Sequence, residues 1–427
     1  MNTTSLASTI VVALLSRPPA HDPLSIAAPV RPPPPSEASQ AASPPLRKLQ
    51  TTAPLVARVA AAVVAGAASL AWMTLPARAQ TGSPIAVPSQ GAASASRPDA
   101  SVAAADTGVA SPDDRRPSLV IVTSPERETD FQAGLDLARY IAAPAGLKLD
   151  VVSSKGATDN MHRLHDDATV DLGIVQYDVL KAFIDQASKG SRVADEIVRP
   201  LRVVAPLYTQ EMYFIVRRDT DLQSVDQIRD RTINLGVVGS GSALTVAAVY
   251  RQMFGMPIAA GKATYLDEQR ALVALTVDRT IDVVVLIAGQ PTRLLADMKP
   301  EARRFIKLLP VDPSQPSSRS AYRTYFPATI RAGSYAQWLD QDIATLSVLS
   351  FLVTTTDRGR AADERLDAFA RSLCSNIGVL HERGHPKWRE VDVTLKLNGG
   401  WVYSPVTTRR LEHCPVDRRT TAANMAP

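Results

Sequence analysis

From Ser118 onward, short apolar runs alternate with stretches whose apolar residues recur at helical spacing, and that alternation limits the possible folds more than any single motif does. "SLVIVT" reads as a buried strand and "DFQAGLDLARYIAA" (Asp130–Ala143) as a helix. "LKLDVVSS", a helix near Thr158–His165, "VDLGIVQ" and "YDVLKAFIDQAS" continue the series, and then "LRVVAPLY" and "MYFIVRR" follow as two apolar runs close together. A second series begins with "TINLGVV". It continues through a helix over Ser242–Phe254, the helical "DEQRALVALTVD", the strand "IDVVVLI", the helical "PTRLLADM" and the strand "RFIKLLPVD". Strands separated by helices pair in parallel through crossover connections, so the fold class is α/β. Two such series imply two lobes: residues 118–208 begin lobe 1, 209–328 form lobe 2, and 329–415 return to lobe 1 with a C-terminal helical region. The crossings are expected near Leu207–Phe214 and around Thr329–Tyr335. Two crossings make a hinge with a cleft between the lobes, and clefts at strand C-termini are where small ligands bind.

Three strand-end loops enter helices and should face that cleft. They are Gln176-Tyr177-Asp178, Ser240-Gly241-Ser242 and Gly289-Gln290-Pro291. Asp178 and Ser240 can equally be read as helix caps. The second loop lies in "NLGVVGSGSALTVAAVY" (Asn234–Tyr250), which fails two nucleotide motifs. Leu244 stands where a dinucleotide fingerprint beginning at Gly239 and Gly241 needs its third glycine, and Ser242 stands where a Walker loop needs lysine. What remains is a turn that aims hydroxyls and backbone N–H groups from a helix N-terminus, a geometry suited to a carboxylate or another small polar group.

Before Ser118 the texture is different. Ala, Pro, Ser, Thr and Gly dominate "VRPPPPSEASQAASPP" and "SQGAASASRPDASVAAADTGVASPDD", which have too little apolar bulk to offset the entropy of ordering a chain. Between them, Arg47, Lys48 and Arg58 precede an apolar stretch, Val59–Leu75, that ends in Ala77-Arg78-Ala79. This is the order of a secretory signal, so residues 1–79 are expected to be leader and signal peptide and 80–117 a disordered linker. An uncleaved membrane anchor is the alternative. Export to the periplasm favours a disulfide between Cys374 and Cys414, the two cysteines of the chain, over a pair of buried thiols. Residues 416–427 read as a frayed tail. The net charge of +5 is spread among mixed charges without a dense basic run, which gives nucleic-acid binding no support.

"KGATDNMHRL", "VDLGIVQYDVL", "PLYTQEMYFIVRRDTDLQSVDQI", "LGVVGSGSALTVAAVY" and "IAGQPTRLL" together resemble the TAXI family of periplasmic solute-binding proteins. These serve TRAP (tripartite ATP-independent periplasmic) transporters. The resemblance runs from about Ser118 to Thr356. It implies a two-lobed periplasmic-binding-protein fold, type II, that closes on a small organic acid or amino acid and docks on the transporter's membrane subunits. It implies no cofactor and no catalysis. Carried over, the ligand contacts fall on Asn160, Gln176 and Tyr177 in one lobe and on Ser240, Gly241, Ser242 and Gly289 in the other. One stretch departs from the family: its glycine-rich turn after the first strand is here "TSPERET", with Glu126, Arg127 and Glu128. Either this turn faces outward with its charges solvated, or Arg127 enters the cleft and grips a carboxylate bidentately.

Two other features invite an enzymatic reading. "HERGH" (His381–His385) matches the H-E-x-x-H pattern of zinc proteases, but Gly384 weakens the helix and Pro386 turns His385 out of helical conformation. The expectation is a helix ending at Gly384 and no metal. His162 and His165 beside Asp166 read as a surface face. No G-x-S-x-G elbow occurs, so hydrolase chemistry lacks support. Trp388 and Trp401 read as packing residues. The rival functions are a ligand-sensing module on an uncleaved anchor and a metal-dependent hydrolase built on "HERGH".

Overall fold

The computed structural model describes residues 116–397 and 400–414. The expected leader, the signal peptide, nearly all of the linker and the tail lie outside them. Among the described residues, ten strands join in one mixed sheet, in the order β2-β1-β3-β10-β4-β7-β5-β6, with β8 added on β4 and β9 on β10. In chain order these are β1 (Ser118–Val122), β2 (Lys148–Val152), β3 (Leu172–Gln176), β4 (Leu201–Arg217), β5 (Ile233–Asn234), β6 (Ala263–Thr264), β7 (Val283–Ala288), β8 (Ile306–Leu308), β9 (Phe326–Ile330) and β10 (Ile343–Thr355).

At one end β1 pairs in parallel with β2 and β3; at the other β5 pairs in parallel with β6 and β7. The antiparallel pair β4–β10 stands between these two parallel sets. β3 and β7, "LGIVQ" and "VVVLIA", are buried along their whole length. Strands covered by helices on both faces bury every side chain, which is why they read as continuous apolar runs without alternation.

Hydrophobic clusters divide the sheet into two lobes. Leu201–Tyr208 on β4 and Leu349–Val353 on β10 pack with β1, β2 and β3. Met212–Val216 on β4 and Ile343–Val348 on β10 pack with β5, β7 and β8. Both crossings are therefore single points on long continuous strands. The runs "LRVVAPLY" and "MYFIVRR" are one strand of 17 residues. The polar Thr209-Gln210-Glu211 between them does not interrupt it, because these side chains are bonded inside the protein. The second crossing, expected around Thr329–Tyr335, falls on β10 instead, since Ile330 and Tyr335 belong to the core of the second lobe. β10 reads poorly as a strand in the sequence because Thr345, Ser347 and Ser350 break its apolar pattern, yet all three are buried. Thr345 donates its hydroxyl to the Met212 carbonyl of the neighbouring strand.

The C-terminal region closes the first lobe. The helix Arg360–Arg383 sets Leu366, Phe369, Leu373 and Leu380 into the cluster that holds Leu137 and Ile141. It ends at Gly384, as its sequence indicates. A Cys374–Cys414 disulfide ties this helix to the short helix Pro405–Leu411 and its end, with Cα atoms 5.2 Å apart. Closing a loop of that size contributes about 2–4 kcal/mol, by restricting the unfolded chain. Trp388 is fully buried against Tyr208, and Trp401 packs on Tyr177 and Phe351. Among the described residues, no helix is long and apolar enough to cross a membrane.

Candidate functional site

The lobes meet face to face along the strand-end loops. The helix Gly241–Phe254 starts with Ser240, whose hydroxyl accepts from the Ala243 N–H at 3.1 Å. That helix end sits on the first lobe: the Thr158 hydroxyl donates to the Ser240 carbonyl at 3.3 Å, and Gly241 lies against Gln176 and Ala157. A methyl group added at Gly241 would overlap Gln176 Oε1 and stand 2.8 Å from Ala157 Cβ. Further along, Tyr325 of the second lobe donates to Asp178 of the first at 2.9 Å. The Thr129 hydroxyl donates to the Gly289 carbonyl at 2.8 Å. The cleft is closed along this edge.

A polar chain runs behind the contact. Gln176 donates to Gln210 at 2.8 Å; Gln210 and Tyr208 both donate to Asp130 Oδ1, at 2.6 and 2.8 Å. Burial pushes the Asp130 carboxyl up to about 6, with the two donors opposing the shift. Next on β4, Glu211 is paired with Lys387 at 2.8 Å, both almost wholly inaccessible, and Lys387 also reaches Glu390 at 2.6 Å. Burial raises the Glu211 carboxyl and Lys387 opposes it. Gln290 donates its backbone and side-chain N–H groups to the same carboxylate at 3.0 and 3.1 Å. Lys387 thus ties the C-terminal region to the crossing strand, and Gln290 ties the crossing strand to the loop after β7.

Beside this closed edge the lobes stand apart around a cavity of about 370 Å³. The first lobe contributes the turn Pro125–Glu128 after β1, with Ser154 and Lys155 after β2. The second lobe contributes Gly236, Val237, Ser240 and Ser242 around the glycine-rich turn, and Leu266–Gln269 at the start of the helix Glu268–Thr276. Its floor is apolar, built by Ile215, Leu272, Val284–Leu286 and Leu294. A volume of this size, with an apolar floor and polar groups from both walls, is typical of a small-molecule site.

Of the residues that the sequence points to, Arg127, Ser240 and Ser242 line this cavity. Gln176 and Gly241 are brought into contact with each other at the closed edge. Asn160 is fully buried inside the first lobe, where its amide donates to the Thr123 and Ile174 carbonyls and its oxygen accepts from Ser154. It fixes the ends of β1 and β3 together. Tyr177 packs edge-on against Trp401 and at a tilt against Phe351, and Gly289 lies against Thr129 and Lys387. Of the "HERGH" pair, the His381 imidazole meets the Val391 carbonyl at 3.1 Å, and the His385 Nε2 meets the Pro291 carbonyl at 3.2 Å.

Glu128, Lys155, Asp267 and Glu268 also line the cavity, and no sequence motif marks them as binding residues. Glu128 sits in the turn that departs from the glycine-rich pattern, which was the available signal. Asp267 and Glu268 carry the signature of a helix start, and Asp267 does cap its helix by accepting from the Arg270 N–H at 2.9 Å. Capping hid their second position, on the cavity wall. Glu128 is raised well above the usual carboxylate range by burial and then by Glu268 and Asp130, while the Ser124 hydroxyl opposes the shift. Glu268 is pushed up to about 7 by burial and Asp267, with Arg127 opposing.

The model of the NMT1-like family matches residues 121–378, which is more than half of the chain and runs from β1 to the long C-terminal helix. Among solved structures, the chain is similar to a periplasmic sulfonate-binding protein from Methylobacillus flagellatus, with 14% identity and a TM-score of 0.37 over 63% of this chain and 70% of the other. A TctC solute-binding protein from Polaromonas gives 15% identity and a TM-score of 0.36 over 65% and 87%. The arginine-, lysine- and histidine-binding protein of Geobacillus stearothermophilus gives 11% and 0.36 over 62% and 94%. These likenesses are too loose to carry any residue across. The family match rests on the sequence itself, over the segment that builds both lobes and every wall of the cavity, and by it the chain is a member of the NMT1-like family.

Proposed function

We propose that this chain is an extracytoplasmic solute-binding receptor, which captures a small organic anion or amino acid between its lobes and delivers it to a TRAP-type secondary transporter. The observation that carries the reading is the cavity of about 370 Å³ walled by loops of both lobes beside a closed edge. Among the described residues two strands, β4 and β10, join the lobes, so a rotation at Thr209–Glu211 and at Val348–Leu349 opens that edge and exposes the cavity. Hinge closure on a ligand is the usual behaviour of this architecture. Arg127, Lys155, Ser240 and Ser242 supply the donors for a polar solute.

The finer parts of the proposal come from the sequence. The TAXI-like motifs support a TRAP-type partner. The n-region, apolar stretch and Ala77-Arg78-Ala79 site support export to the periplasm with cleavage before Gln80. The test is a thermal-shift screen of organic acids and amino acids on the exported protein, followed by small-angle scattering with and without the hit. A ligand held only by the folded form raises the melting temperature in proportion to the logarithm of its concentration over Kd. A saturable shift with compaction is expected. A screen without any shift, on a protein whose dimensions no compound changes, would remove the receptor reading.

A further inference from the structure

The charges on the cavity wall are not those of a simple anion site. Four carboxylates, on Glu126, Glu128, Asp267 and Glu268, line it against two cations, on Arg127 and Lys155. Glu128 and Glu268 come from opposite lobes, the first immediately before the helix Thr129–Leu137 and the second at the start of the helix Glu268–Thr276. Both line the same cavity, and Glu268 adds to the burial that raises the Glu128 carboxyl. Glu268 Oε1 is buried and has no hydrogen-bond partner. A buried carboxylate oxygen without a donor is costly, and two facing carboxylates are costlier still. Below them the floor is apolar, from Ile215, Leu272, Leu286 and Leu294.

We propose that the cavity recognises an organic ammonium group, set between Glu128 and Glu268, on a solute whose body is apolar. This inference rests on the solute-binding reading above and narrows it: of an organic anion and an amino acid, the same site takes the solute that carries an ammonium. A primary ammonium has three N–H donors and no acceptor, so it fills the vacant Glu268 oxygen and screens the Glu128–Glu268 repulsion at once. A carboxylate in that position would add a third negative charge between two others. Arg127 and Lys155, on the first-lobe wall, leave room for a second, anionic group on the solute without requiring one. Because the two glutamates belong to different lobes, the bound cation also draws the lobes together.

The pH dependence follows from the same groups. With the cavity empty, burial and Asp267 hold Glu268 partly protonated near pH 7, against the opposing charge of Arg127, while Glu128 faces it from the other lobe and Glu126 and Lys155 complete the charged lining. An ammonium binds the ionised form, so its affinity rises as the pH is taken up through about 7.

The experiment is calorimetry and thermal shift on the full exported protein with matched pairs, isopentylamine against isocaproate and phenethylamine against hydrocinnamate. The amines are expected to bind, more tightly at pH 8 than at pH 6, and the acids to bind at least tenfold more weakly. Glu268→Gln should weaken the amines by roughly tenfold or more, the worth of one charge-assisted bond, and reduce the pH dependence to the part that Glu128 contributes. The variant relieves a buried charge, so its melting temperature should be no lower than that of the parent. If an acid binds as tightly as its matched amine, or if Glu268→Gln leaves amine affinity unchanged, the ammonium site is wrong while the receptor reading stands. If neither amines nor acids bind and the wider screen gives no shift, both fall.

Discussion

At one edge of the cleft, Gly241 lies against Gln176 and Ala157 with no room for a methyl group. At the other, the turn Pro125–Glu128 and the segment Leu266–Gln269 stand apart around a cavity of about 370 Å³. Both edges are made of loops at strand ends, half from each lobe. They differ in how their charged groups are compensated. At the closed edge the buried carboxylates have partners within the protein: Glu211 meets Lys387, Asp130 accepts from Gln210 and Tyr208, and Asp178 accepts from Tyr325, although the neutral Gln176 Oε1 has none. At the cavity, four carboxylates share the lining with two cations, and Glu268 Oε1 has no partner. Internally compensated charges favour one arrangement and add rigidity; an uncompensated one favours a ligand that completes it. The comparison therefore assigns closure to one edge and recognition to the other, and each assignment can be broken separately.

The largest effect belongs to the closed edge. Lys387→Met leaves Glu211 buried on the crossing strand without its cation, and breaking a buried pair from one side costs about 3–5 kcal/mol. Urea unfolding should show a loss of that size, against little or none for Glu268→Gln at the cavity edge. Equal losses in the two variants would erase the distinction between a structural edge and a binding edge.

Asp130 tests the same edge with the opposite sign. Its carboxyl is raised from 3.8 to about 6, so the native state holds a proton that the unfolded chain has released. The protonated form's contribution is complete below the unfolded value and is lost as pH rises through that window, which leaves a penalty of up to about 3 kcal/mol at neutral pH. Asp130→Asn keeps an oxygen for Tyr208 and Gln210 and has no charge to bury. It should stabilise the protein by about 1–3 kcal/mol at pH 8 and by almost nothing near pH 4, measured by chemical unfolding at both. A variant that destabilises equally at both pH values would mean that Asp130 is held ionised by its donors.

The closed edge was far more legible in the sequence than the cavity. Strand-end loops are fixed by chain topology, and the alternation of apolar runs and helices places Gln176 and the 240–242 turn opposite each other without any knowledge of side-chain packing. β10 is hard to read because buried serines and threonines hide an interior strand; the Thr345, Ser347 and Thr354 hydroxyls donate to carbonyls of neighbouring segments. The cavity wall was lost for a related reason. Glu268 follows a capping aspartate at a helix start, where an acidic residue is favoured whatever lies in front of it. Only the packing of that helix against the first lobe's turn leaves one oxygen of that first-turn carboxylate buried and without a hydrogen-bond donor.

The smallest expected effect is the sharpest test of closure. Gly241 has no side chain, and the closed structure needs that: a methyl would overlap Gln176 Oε1 and crowd Ala157, both on the opposite lobe. Nothing within the second lobe stands among these contacts, and the backbone at Gly241 is helical, so Gly241→Ala is compatible with an open protein. Its effect should therefore fall on the closed state alone. Ligand affinity should drop by roughly tenfold, about 1.4 kcal/mol. The melting temperature without ligand should stay within about 2 °C of the parent, or rise slightly, because alanine is the better helix former. Scattering should show no compaction at ligand concentrations that close the parent. If Gly241→Ala closes and binds like the parent, the contact between Gly241 and Gln176 does not limit closure, and the division of labour between the two edges fails at the point where it is most specific.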